Sequence, residues 1–84
     1  MVEGIKEISF DQAELLLSKG YSEFKHKLFL KRVDYVNKKM KRGEVSEMKY
    51  YLTSKGFVQL HYNYRGSSNL GTKDADCIIT YTTD

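Results

Sequence analysis

The chain has 84 residues, 40% apolar and 13% aromatic, enough for one small folded core and too few for two domains. Its single cysteine, Cys77, excludes an internal disulfide, and no apolar run approaches the roughly 20 residues needed to cross a bilayer. The net charge of +3 hides a separation of signs: residues 24–55 hold ten basic side chains against three acids (Asp34, Glu44, Glu47), and the remainder holds four against eight.

In chain order, Ile5 to Ile8 reads as a short strand. Ser9 and Gln12 then form a capping box ahead of an apolar stripe, with Asp11 and Glu14 suited to the positive end of a helix. A helix over 10–19 follows, with Ala13, Leu16 and Leu17 as its core residues and Gly20 as a left-handed stop.

The stretch KHKLFLKRVDYVNKKMKRG carries eight basic residues and one acid. Read as one helix from Ser22, its apolar positions cover more than half of the circumference, too wide for a surface helix. Splitting it at Arg32 gives a buried strand at Leu28-Phe29-Leu30 and a helix over 33–41 with Val33, Val36 and Met40 on one stripe. That split separates Lys25, Lys27 and Lys31 from the cluster Lys38, Lys39, Lys41 and Arg42.

Gly43 ends that helix, and Val45, Met48 and Leu52 at i, i+3 and i+7 suggest a further helix over 45–55, stopped at Gly56. The period then changes to two. Val58, Leu60, Tyr62 and Tyr64 alternate with Gln59, His61 and Asn63, and Cys77, Ile79 and Tyr81 alternate with Ile78, Thr80 and Thr82. Between these strands RGSSNLGTKDAD forms a long polar loop with a mobile tip. The expected fold is a small single α+β domain with about three helices, a C-terminal antiparallel hairpin and one or two short extra strands. The alternative is helices packed on one face of an antiparallel sheet.

The segment VDYVNKKMKRGEVSEMKYYLTSKGFVQLHYNYRG resembles, in its pattern, a winged helix-turn-helix DNA-binding domain, over some sixty residues from the first helix onward. The resemblance implies a transcription regulator that places the helix over 45–55 in the major groove, with Ser46, Lys49, Tyr50 and Thr53 facing duplex DNA. Lys38, Lys39, Lys41 and Arg42 would meet phosphates, and Arg65 and Lys73 would sit on the hairpin wing. The second reading is an interaction module of the phage or mobile-element type, an inhibitor or adaptor, using Tyr62, Tyr64 and Tyr81 to hold a protein partner. An acidic partner would suit the basic span. A third reading takes the lysines as a solvated face only.

Nothing in the chain names a reaction. RGSSNLG opens no helix and lacks the lysine-serine ending of a phosphate loop. His61 with Asp74 and Asp76 lacks metal-ligand spacing, and Cys77 on an apolar strand position reads as a buried hydrophobe rather than a nucleophile paired with His26 or His61. The expectation is therefore a cytoplasmic protein that is not an enzyme, with no cofactor, no metal and no membrane association. A homodimer through an edge strand is compatible with the pattern.

Overall fold

A computed structural model of the chain describes residues 4–20 and 22–83. Among these, the order is β1 (Ile5–Ile8), α1 (Phe10–Ser18), α2 (Glu23–Lys41), β2 (Val45–Thr53), β3 (Val58–Tyr64) and β4 (Cys77–Tyr81). The strands form one antiparallel sheet in the order β1-β2-β3-β4, and both helices lie on one of its faces. The fold is thus α+β, in the form of helices on one face of an antiparallel sheet.

The entry to α1 follows from its sequence. The Ser9 hydroxyl accepts from the Gln12 amide at 3.2 Å, and the Gln12 side chain accepts from the Ser9 amide at 3.0 Å, which satisfies two otherwise orphan donors. Ala13 and Leu17 then face the core and Leu16 flanks it. Gly20 does not act as a left-handed stop, because its φ is not positive. It is needed for space: a Cβ there would stand 2.9 Å from the carbonyl oxygen of Thr83.

Two sequence expectations are corrected. The stretch from Glu23 to Lys41 is one continuous helix, so Leu28-Phe29-Leu30 is not a strand. Its apolar spread is wide because part of it is left in water: Phe29 is fully buried, whereas Phe24 is 69% and Leu28 42% exposed. The second correction concerns Val45 to Thr53, which is strand β2 and not a third helix. On β2, Val45 pairs with Tyr64 while Glu47 pairs with Asn63, so Ser46 is an extra residue in a bulge. The bulge shifts the phase of the alternation. Val45 before it and Met48, Tyr50 and Leu52 after it therefore all face the helices, and the resulting spacing of three imitates helical periodicity. Gly56, expected to stop a helix, instead takes the left-handed position (φ 84°) of the β2–β3 turn, whose amide bonds to the carbonyl of Thr53 at 2.9 Å.

The inner face of the sheet is built in cross-strand rows. Ile8, Tyr50, Leu60 and Ile79 are successive partners, as are Leu52, Val58 and Tyr81, and Met48, Tyr62 and Cys77. Helix α2 sets Phe29, Val33 and Val36 on these rows. Phe29 stacks on Phe10 at 5.9 Å and meets Tyr81 edge-on at 5.4 Å, with Tyr50 tilted against both phenylalanines. Such pairs contribute about 0.5–1.5 kcal/mol each beyond area burial.

The loop between β3 and β4 lies over the other face of the sheet and is fastened at its base. Asp76 donates its amide to the Asn63 side-chain oxygen at 3.0 Å and accepts the Tyr64 amide on its carboxylate at 2.9 Å. Further along, Gly71 passes against the hydroxyl of Tyr51.

Candidate functional site

Helix α2 carries seven basic and two acidic residues over 19 positions, a rod of roughly 28 Å. Because Phe29, Val33 and Val36 fix which side faces the sheet, Lys27, Lys31, Asp34, Lys38 and Lys41 are exposed along the opposite side, spaced at i, i+4, i+7, i+11 and i+14. Arg42, at the C-cap, extends the row. Continuity of the helix therefore returns Lys27 and Lys31 to the cluster from which the split reading had removed them.

Ion pairs temper part of this surface. Lys38 meets Asp34 at 3.1 Å, and Glu44 meets Lys39 at 3.5 Å and Arg42 at 3.9 Å. The phenol of Tyr35 is approached by Arg32 and by Lys39, at 5.2 and 5.1 Å from the ring centre. A hydrogen bond to Tyr35, then the charge of Glu44, holds the Lys39 ammonium above its ordinary pKa. Among the described residues, Lys27, Lys31 and Lys41 make no ion pair, so their charges are the most available to an anion.

The residues assigned by the winged-helix resemblance divide into groups. Lys38, Lys39, Lys41 and Arg42 share the C-terminal half of α2 and its cap. The backbone amide of Arg65 bonds to the carbonyl of Glu44 at 3.0 Å, which places Arg65 at that same end of the molecule. Residues of the expected recognition helix lie on strand β2 instead. The Ser46 hydroxyl lies 3.4 Å from each of the carbonyl oxygens of Asn63, Tyr64 and Ser67 at the bulge. Lys49 faces the far side of the sheet and meets Glu7 at 3.6 Å. Tyr50 packs between Phe10 and Phe29, where burial raises its pKa. Thr53 accepts the Phe57 amide at 3.0 Å in the β2–β3 turn. Lys73 lies over the far face.

The tyrosines proposed for a partner divide likewise. Tyr62 and Tyr81 are core residues, and burial raises both phenols, that of Tyr62 further through a hydrogen bond with Cys77. Only Tyr64 of the three is exposed. The exposed apolar side chains on α2 are Phe24, Leu28 and Tyr35.

Sequence reasoning weighed His61 only as a metal ligand or a base and did not expect its side of the sheet to be covered. Gln59, His61 and Asn63 point there from β3, and His61 and Asn63 are 1% and 0% exposed. Gln59 donates its amide to the Thr80 hydroxyl at 3.2 Å, which orients its carbonyl oxygen as acceptor for His61 Nε2 at 2.9 Å. The imidazole thus carries its proton on Nε2, and burial lowers its pKa, so it is neutral. His61 Nδ1 and Asn63 Nδ2 are buried with no hydrogen-bond partner among the described residues. Beside them opens a cleft of about 360 Å³, lined from β3 and β4, the β2–β3 turn, the edge strand β1 and the long loop.

The fold defines a small α+β domain with a cationic helix on one side and a polar, loop-covered sheet face on the other. Comparison with protein-family models, with curated proteins and with solved structures finds no match. No helix among the described residues is long and apolar enough to cross a membrane.

Proposed function

We propose that the protein is a small nucleic-acid-binding protein whose helix α2 lies along the phosphate backbone of duplex DNA in a regulatory role. The supporting observation is the row Lys27, Lys31, Lys38, Lys41 and Arg42 on the solvent side of one helix, interrupted by Asp34 alone. Arg65 adds a charge at its C-terminal end. Contacts of this kind give salt-dependent affinity and position the protein without reading bases. Base readout by a recognition helix forms no part of the proposal, since residues 45–53 are a strand.

The test is binding to random duplex DNA across salt. A slope of log affinity on log salt near about −4 is expected, for release of ions from four or five phosphates. Replacing Lys27, Lys31, Lys38 and Lys41 together by Gln should reduce the slope to between about −1 and −2, the part left to Arg42 and Arg65, while leaving the circular dichroism spectrum unchanged, because all four are exposed. Absence of binding at about 50 mM salt would overturn the reading.

A second reading has its own support. Phe24 and Leu28 are exposed next to Lys27 and Lys31, a combination suited to an acidic protein partner with apolar anchors. The variant Phe24→Ala with Leu28→Ala separates the two: it abolishes binding to such a partner and leaves the DNA salt slope intact.

A further inference from the structure

We propose that the face of the sheet remote from the helices holds a binding site for a small organic anion, a flat apolar body bearing one phosphate, sulfonate or carboxylate group. The cleft of about 360 Å³ is at the small end of the range of about 300–1,000 Å³ typical of ligand pockets. Its lining divides by chemistry. Ile5, Phe57 and Ile78 supply apolar surface from three separate elements, and Lys55 and Lys73 supply positive charge from the β2–β3 turn and the long loop. Among the described residues, no carboxylate lines it.

The hydroxyl protons of Thr53 and Thr80 are free for an anion. Thr80 accepts from Gln59, and Thr53 accepts from the Phe57 amide, so each hydroxyl still has its own proton to donate. Thr72 differs, since its proton goes to the carbonyl of Asn69 at 2.8 Å. His61 contributes floor rather than charge, its Nε2 proton already given to Gln59. An apolar ring can therefore rest on Ile5, Phe57 and Ile78 while its anionic group meets the two lysines and the hydroxyls of Thr53 and Thr80. The site lies across the sheet from α2, so it is independent of the nucleic-acid reading.

The experiment is a titration of the full chain, followed by amide chemical shifts in two-dimensional NMR, with phenyl phosphate as probe. Inorganic phosphate and benzyl alcohol serve as its two halves. Saturable shifts at Thr53, Lys55, Gln59, Thr72, Lys73 and Thr80 are expected, with a midpoint in the low millimolar range of about 1 mM and each half binding about tenfold more weakly. The exposed pair Lys55→Gln with Lys73→Gln should weaken phenyl phosphate about tenfold and leave benzyl alcohol unchanged. Three outcomes overturn the proposal: shifts confined to α2, phenyl phosphate no tighter than inorganic phosphate, or affinity unaltered in the lysine variant whose dispersed spectrum shows it folded.

Discussion

Strand β3 is buried on both of its faces, and the two burials are chemically opposite. Toward the helices it sends Val58, Leu60 and Tyr62 into an apolar and aromatic layer. Away from them it sends His61 and Asn63 into a layer closed by the hydrogen bond His61 gives to Gln59 and the one Asn63 accepts from the loop residue Asp76. The first layer is filled by packing and leaves few polar atoms to satisfy. In the second, a polar loop supplies the cover, and His61 Nδ1 and Asn63 Nδ2 find no partner among the described residues. The cleft opens on that second side.

The largest expected effect is on the helix-covered face. Phe29 is fully buried and touches Phe10, Tyr50 and Tyr81, so Phe29→Ala removes the centre of the aromatic cluster. A loss of about 3–5 kcal/mol is expected, read as a lower urea midpoint with an unchanged slope. A loss under about 1 kcal/mol would mean that the α2 interface is not the main core.

A smaller and more local effect is expected across the sheet. Asn63→Ala deletes the acceptor that holds the Asp76 amide at 3.0 Å, while the inner rows keep their contacts. The cost should be about 1–3 kcal/mol. Amide hydrogen exchange should quicken in residues 65–76 and stay slow in α1 and α2. Uniform quickening would show that the two faces are not separable.

The contrast also explains what the sequence could and could not reveal. The Ser9–Gln12 capping box and the alternation of Val58, Leu60 and Tyr62 are local signals, and the structure uses both as expected. Strand β2 was misread because the bulge at Ser46 inserts one residue into the alternation, and a pairing irregularity leaves no local mark. Helix α2 was misread for a different reason. Its width of apolar positions implies two elements only if every apolar residue is buried, and Phe24 and Leu28 are not. Of the cationic surface, Lys38, Lys41 and Arg42 were legible from their density, whereas Lys27 and Lys31 needed the helix to be continuous. The cleft was not legible at all. Lys55 and Lys73 are joined only by the path of a loop over the sheet, which carries no periodicity.

The finest distinction between the faces is one of pH. Burial holds the pKa of His61 below the ordinary value near 6.5, so the folded protein keeps this imidazole neutral. Between that value and the lower pKa of the folded state the unfolded chain binds a proton there that the folded chain does not, so stability falls as the solution becomes more acid through that window. Above it neither state carries the proton, and the His61 contribution is flat. The slope cannot exceed about 1.4 kcal/mol per pH unit for one proton. Urea midpoints measured at about pH 7.5 and about pH 5.5 should therefore differ more in the native chain than in His61→Gln, which keeps a polar group on β3 without a titrating one. Equal differences in the two would remove His61 as the source. They would also imply that the remote face is wet enough to accept a charge, so that β3 would be buried from water on its helix-covered face alone.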